Sequence, residues 1–264
     1  MPNLYDIAEH CLNLSDPDSK CHETELASQA WLAGELEVEN GSAPAAIGEP
    51  GRPARPELVS PKDLSQRKTG NKQGHAALIH SITHIEFNAI NLAWDAVYRF
   101  REMPDQFYGD WIKVAREEAY HFGLLRDHLR SLGYDYGDFP AHNGLWEMAQ
   151  QTAHDGMVRM ALVPRVLEAR GLDVTPGMIK RLTQQGDHRA VEILDIILRD
   201  EIGHVEIGTR WFRYYCQQRE LDPDKVFAEL IAEYMKGAVR GPFHYAARSQ
   251  AGFSEAEMKM LEDL

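Results

Sequence analysis

Two short stretches carry an acid and an imidazole on helical faces that otherwise read as apolar: REEAYH at residues 116–121 and RDEIGH at 199–204. Each sets a glutamate three residues before a histidine, Glu118 with His121 and Glu201 with His204. Residues three apart share a helix face, so one turn can offer a carboxylate oxygen and a ring nitrogen to a single ion. A lone acid precedes each pair on an apolar stripe: Glu86 lies 32 residues before Glu118, and Glu168 lies 33 before Glu201. The order Glu, Glu-x-x-His, Glu, Glu-x-x-His looks like two copies of one hairpin. It is the donor pattern with which a four-helix bundle holds two metal ions in its core.

Charge decides what such a cluster needs. Four carboxylates in an apolar interior cost many kcal/mol or take up protons. Two divalent cations balance them while both imidazoles stay neutral. Mixed oxygen and nitrogen donors with open positions suit iron or manganese better than zinc, whose structural sites are closed tetrahedra. Glu-x-x-His alone is a weak signal in so acidic a chain. The apolar stripes and the near-equal spacing carry the reading against its alternative, in which these acids form buried salt bridges with Arg116, Arg199 or others.

Four long helical patterns must position the donors. The first, about 74–102, has the stripe Ile79, Ile82, Glu86, Ala89/Ile90, Ala93, Val97; the second, about 106–132, has Trp111, Val114/Ala115, Glu118, His121/Phe122, Leu125 and Leu129. A third is expected over about 145–170, kinked at Pro164 and ended by Gly171, with Thr175-Pro176 starting a short piece that Gly186-Asp187 breaks. The fourth, about 187–218, carries Val191, Leu194, Leu198, Glu201, His204/Val205, Gly208 and Trp211/Phe212. Before them, 3–14 and 18–39 read as helices, the second capped at Asp18 and Ser19. After them come about 223–236 and 254–262, where Ser254 with Glu257 forms a capping box. Five prolines and three glycines in residues 41–61 forbid regular helix and mark an extended connector. No strand pattern of comparable strength exists. The expectation is an all-α chain: an N-terminal helical segment (1–40), a Pro/Gly-rich connector wrapping the core (41–73), a four-helix bundle (74–218) and C-terminal helices (219–264).

The donors Glu86, EExxH at 117–121, Glu168 and DExxH at 200–204 resemble the carboxylate-bridged di-iron proteins of the ferritin-like superfamily. More narrowly, HSITHIEFNAINLAWDAVYRF, REEAYHFGLLRDHLRSLGYDYGDFPAHNGLW, LRDEIGHVEIGTRWF and, in the connector, PGRPARPELV resemble an uncharacterised bacterial family of that superfamily, labelled only as a domain of unknown function. The resemblance implies a ferritin-like bundle and two iron ions, and brings no substrate. It also implies that the acid before each ligand glutamate steadies the other half's imidazole, Glu117 toward His204 and Asp200 toward His121, because ligating imidazoles donate their free N–H to a carboxylate.

Several features rank below the cluster. His80 and His84 sit four apart, but His84 points away from Glu86, so the pair cannot share its ions. His154 reads as a core or pocket histidine, Tyr120 as packing beside the site, and Trp94, Trp111, Trp146 and Trp211 as core or interface. Gly203 and Gly208 leave little side chain near the site, which opens a pocket or permits close helix packing.

The formal charge of −13 argues against general affinity for nucleic acid or anionic membrane, although Arg52, Arg55, Lys62, Arg67, Lys68 and Lys72 make residues 49–72 locally basic. That stretch reads as a solvated linker before it reads as a patch for a phosphate-bearing partner. No apolar run long enough for a membrane helix exists, and the N-terminus lacks a signal-type core. Cys11, Cys21 and Cys216 are widely spaced without a CxxC, which fits a reducing cytoplasm. The expected function is an O2-dependent oxidoreductase, using dioxygen, an electron donor and an unidentified small-molecule or nucleoside substrate. The competing expectations are a ferroxidase or iron-handling protein, a dimanganese catalase-like enzyme, and a non-catalytic helical module stapled by metal.

Overall fold

A computed structural model describes residues 1–39, 43–64 and 71–263. Among them the chain is helical and contains no strand, only two isolated bridges. It divides into two compact units, Met1–Glu147 and Met148–Leu264. Among the described residues no helix is long and apolar enough to cross a membrane.

The first unit holds α1 (Leu4–Asn13), α2 (Pro17–Leu32), α3 (Lys72–Arg99) and α4 (Asp105–Ser131). Helices α3 and α4 pack along each other, with α1 on α3 and α2 on α4. Asn71 Oδ1 caps α3 by accepting from Gly74 N at 2.7 Å. The cap of α2 is Asp16, not the expected Asp18 or Ser19: its carboxylate accepts from Ser19 N and Oγ at 2.8 Å, and Pro17 takes the first helical position, where no N–H is needed. The same helix stops at Leu32, short of the expected residue 39. Gly34 turns the chain at φ +69, and the backbone beyond pairs with the N-terminus, Leu4 N donating to Glu37 O at 2.8 Å and Glu37 N to Pro2 O at 3.1 Å.

The connector is irregular, as its prolines require, and it is tied to the first unit. Trp146 Nε1 donates to Gly48 O at 2.8 Å, Val59 N to Ala141 O at 2.8 Å and Ala141 N to Glu57 O at 3.0 Å. Gly51 lies against the backbone of Asn13 and Leu14 with no room for a Cβ. Arg67 and Lys68, two of its six basic residues, fall outside the described residues.

Helix α5 (Gly144–Gln151) runs over the change of unit. The second unit then holds α6 (Gly156–Leu162), a π turn (Val163–Glu168), α7 (Ala169–Gln185), α8 (His188–Gln218), α9 (Pro223–Leu230) with a second π turn (Ile231–Met235), α10 (Tyr245–Gln250) and α11 (Glu255–Glu262). The expected helix over 145–170 is therefore broken. Asp155 restarts it by accepting from Met157 N at 2.8 Å, and Arg219 grips the same carboxylate at 2.6 Å. His154 falls in this break and is exposed, contrary to its expected place in a core or pocket. Pro164 sits inside the π turn, which absorbs its missing N–H.

Neither Gly171 nor Thr175-Pro176 ends or begins a helix; both lie within α7. Its buried stripe, Leu172, Thr175 and Leu182, continues past them, and burial of that face outweighs the hydrogen bond lost at Pro176. The helix ends where Gly186 adopts φ +78, and Asp187 then caps α8 through Ala190 N at 3.0 Å. The capping box at Ser254 and Glu257 forms as its spacing predicts. The six residues of α10 are too few to show a period, and the sequence did not mark them.

Candidate metal centre

Each unit gathers its own donors. In the first, Glu86 comes from the middle of α3, and Glu118 and His121 from one turn of α4; all three are buried. His121 Nδ1 lies 3.3 Å from Glu86 Oε2 and 3.5 Å from Glu118 Oε2. One ligand atom from each of these three residues falls within 4.8 Å of the others, the spread over which donors can share one ion. Apolar neighbours on the same helices, Ile82, Ile90, Ala115 and Phe122, enclose the group in low dielectric.

The electrostatics of this triad are those of a site that needs positive charge. Burial, and after it the Glu118 carboxylate, push the Glu86 carboxyl well above the usual carboxylate range. Burial disfavours charge on the His121 ring, but hydrogen bonding and attraction from Glu118 and Glu86 prevail and hold its pKa up to about 11. The triad is thus built to hold either protons or a cation. Two carboxylates and one imidazole at these distances are a hard-to-borderline donor set, and the residues present fit a divalent transition ion.

In the second unit Glu201 and His204 share one turn of α8, with Glu201 Oε1 at 3.5 Å from His204 Nδ1. Glu168 closes the π turn between α6 and α7. All three are buried, His204 completely. The i, i+3 spacing pairs Glu118 with His121 in one unit and Glu201 with His204 in the other, and the packing of α3 on α4 brings Glu86 to the first pair.

Glu117 and Asp200 show where the acids beside the ligands go. Glu117 meets Lys113 Nζ at 3.0 Å, and Asp200 accepts from Arg199 Nε at 2.9 Å and Nη2 at 3.2 Å. Arg116, an alternative salt-bridge partner expected for the ligand acids, binds Glu25 at 2.9 Å. His80 and His84 are engaged apart from the triad. Gly137 N donates to His80 Nε2 at 2.9 Å, and His84 meets the Tyr136 hydroxyl at 2.9 Å and His142 O at 3.1 Å. Burial pulls the His84 pKa down to about 4, so its ring is a neutral packing element. Trp94, Trp111, Trp146 and Trp211 are all buried, as expected, while Tyr120 is exposed.

Sequence reasoning missed Lys20, which is buried and donates to Cys11 O, Leu12 O and Asn91 Oδ1 at 2.7–2.9 Å. It also missed the approach of His75 and His128, whose ring nitrogens come within 4.8 Å. No local spacing could announce partners so far apart in the chain.

The family described as "Protein of unknown function (DUF455)" matches residues 13–259. The chain is 51% identical over 219 residues to an uncharacterized protein of Haemophilus influenzae, covering 80% of this chain and 76% of that one. No solved structure matches it.

Proposed function

We propose that this chain, which belongs to the DUF455 family, is a ferritin-like di-iron carboxylate protein acting as an O2-dependent oxidoreductase. The observation that carries the reading is the buried triad Glu86, Glu118 and His121, whose residue types and spacing recur as Glu168, Glu201 and His204. In this reading each unit would supply two carboxylates and one imidazole as metal ligands. Two divalent ions then take the place of the protons that burial otherwise forces onto the acids. Iron at such a site supplies the electrons that activate dioxygen toward an organic substrate. The protein fixes the donors on rigid helices and keeps bulk water away from them. Manganese satisfies the same donors.

Metal analysis followed by anaerobic loading with Fe(II) tests the proposal. The expected result is two ions per chain, with oxygen taken up in proportion to bound iron and no further iron accumulating. Continued iron uptake on repeated additions supports an iron-handling protein instead. Oxygen release from added peroxide by the manganese form supports a catalase-like enzyme. Two bound ions with neither oxygen nor peroxide consumption leave a metal-stapled module. Absence of stoichiometric metal binding by the folded chain ends the proposal.

A further inference from the structure

The π turn Val163–Glu168 inserts one extra residue between α6 and α7 and so rotates everything after it by about 100° relative to an unbroken α-helix. Glu168 is its last residue, and the direction of that carboxylate depends on the turn keeping its register. Such a turn costs regular hydrogen bonding and persists only where the surroundings hold it. Two contacts do so. The Pro164 ring fills the space left by Gly208 on α8, one turn beyond His204, where a Cβ would overlap the ring.

The second contact is Arg165, in the middle of the turn and fully buried. Its Nη2 donates to Glu257 Oε1 at 2.6 Å and its Nε to Thr209 Oγ1 at 3.1 Å. The guanidinium lies among three rings, 4.1 Å from the centroid of Phe227, 4.6 Å from Phe253 and 4.7 Å from Phe212. Glu257 is itself fixed, since its other oxygen accepts from Ser254 N at 2.8 Å in the capping box of α11. A buried, paired guanidinium between aromatic faces has few alternative positions. The C-terminal helix is therefore connected, through Glu257 and Arg165, to the turn that ends in Glu168.

We infer that Arg165 and Glu257 are positioning residues: the ion pair locks the π register that aims Glu168, and α11 is thereby part of the metal centre. The inference rests on the metal reading above, but its effect on the turn does not depend on any ion being bound. A buried pair costs about as much to desolvate as it returns in attraction, so stability alone is a weak reason for it to be there.

The test compares full-length wild type with Glu257→Gln, using Asp173→Asn as the control. Asp173 also forms a buried ion pair in this unit, with Arg248 at 2.7 Å, but outside the π turn. Titration with Mn(II) and amide hydrogen exchange of the metal-free protein are the readouts. Glu257→Gln is expected to weaken one of two manganese ions tenfold or more and to speed exchange across 163–169 by a similar factor. Asp173→Asn, destabilised to a comparable degree, is expected to leave both within twofold of wild type. Unchanged exchange in Glu257→Gln, or equal losses in the two variants, overturns the inference. If Glu257→Gln does not fold, Thr209→Val removes the Nε acceptor, together with the hydroxyl's own bond to Val205 O, and is expected to shift the same two readouts in the same direction; no shift overturns it. Glu168→Gln separates the two claims. Manganese binding that is indifferent to Glu168→Gln sinks the metal reading, while exchange across the turn still judges Arg165.

Discussion

Glu86 Oε2 and His121 Nδ1 stand 3.3 Å apart on neighbouring helices, each buried and each next to Glu118. Two acids this close in an apolar interior repel, and the imidazole relieves only part of that repulsion by carrying a proton. Removing one acid should therefore cost the metal-free protein little. Glu118→Gln is expected to leave its Tm unchanged or raise it by a few degrees. Wild type should gain about 3 kcal/mol from Mn(II) at a hundred times its Kd, and the variant should lose most of that gain. Calorimetric melting with and without manganese checks both halves. A variant that is less stable without metal and equally stabilised by it refutes the assignment.

Protonation gives a second prediction. In the folded, metal-free protein His121 keeps its proton up to about pH 11, against about 6.5 for an ordinary histidine, and Glu86 is also shifted toward its protonated form. A raised folded pKa adds stability that is complete below the unfolded value and disappears as pH climbs through the folded one. Between about pH 6.5 and 11 the proton on His121 favours folding and opposes the cation. Manganese binding should release protons, and its apparent affinity should rise with pH in that window. Titration calorimetry in buffers of different ionisation enthalpy measures the released protons; zero release at pH 7.5 would contradict the picture.

Much of this was legible from the sequence because helix faces repeat locally. Glu118 with His121 and Glu201 with His204 needed only the three-residue spacing, and the starts of α3, α4 and α8 needed only their apolar stripes and flanking turns. The region around Glu168 was legible only in part. A proline in a helical pattern signals disturbance, but whether the chain kinks, stops or adds a residue depends on neighbours such as Gly208 and Glu257, which lie far away in sequence. Pro176 carried the opposite lesson, since a good start signal lost to a buried stripe running through it. Lys20 was invisible for the same reason: nothing near it announces Asn91.

Lys20 offers a test of the first unit independent of any metal. Its ammonium donates to Cys11 O and Asn91 Oδ1 and shares Leu12 O with the Gly51 N–H, and it joins α2 to α1 and α3. Lys20→Met should cost about 2–4 kcal/mol by leaving Cys11 O and Asn91 Oδ1 buried without that donor. The loss should also depend on pH. Burial lowers the folded pKa from 10.5 to about 7, so above pH 7 the unfolded chain holds the extra proton, and wild-type stability from this group rises up to about pH 10.5. Urea melts of both proteins should therefore diverge further between pH 7 and 10; a constant difference counts against the buried charge.

Two glycines of α8 separate packing from access. Alanine is the better helix former by about 1 kcal/mol, so a glycine with open space around it should gain from the change. Among the described residues, and apart from its own helix backbone, nothing comes within 4 Å of where a Cβ of Gly203 would stand, whereas at Gly208 the Cβ would overlap the Pro164 ring. Gly203→Ala is expected to be neutral or to stabilise by up to about 1 kcal/mol. Gly208→Ala should destabilise by about 1–3 kcal/mol, because a proline ring within a π turn has little freedom to retreat. The same push falls on the turn that carries Glu168, so Gly208→Ala should also weaken manganese binding beyond what its fall in Tm explains. Equal stability changes at the two positions would mean that α8 and the π turn do not meet in this way.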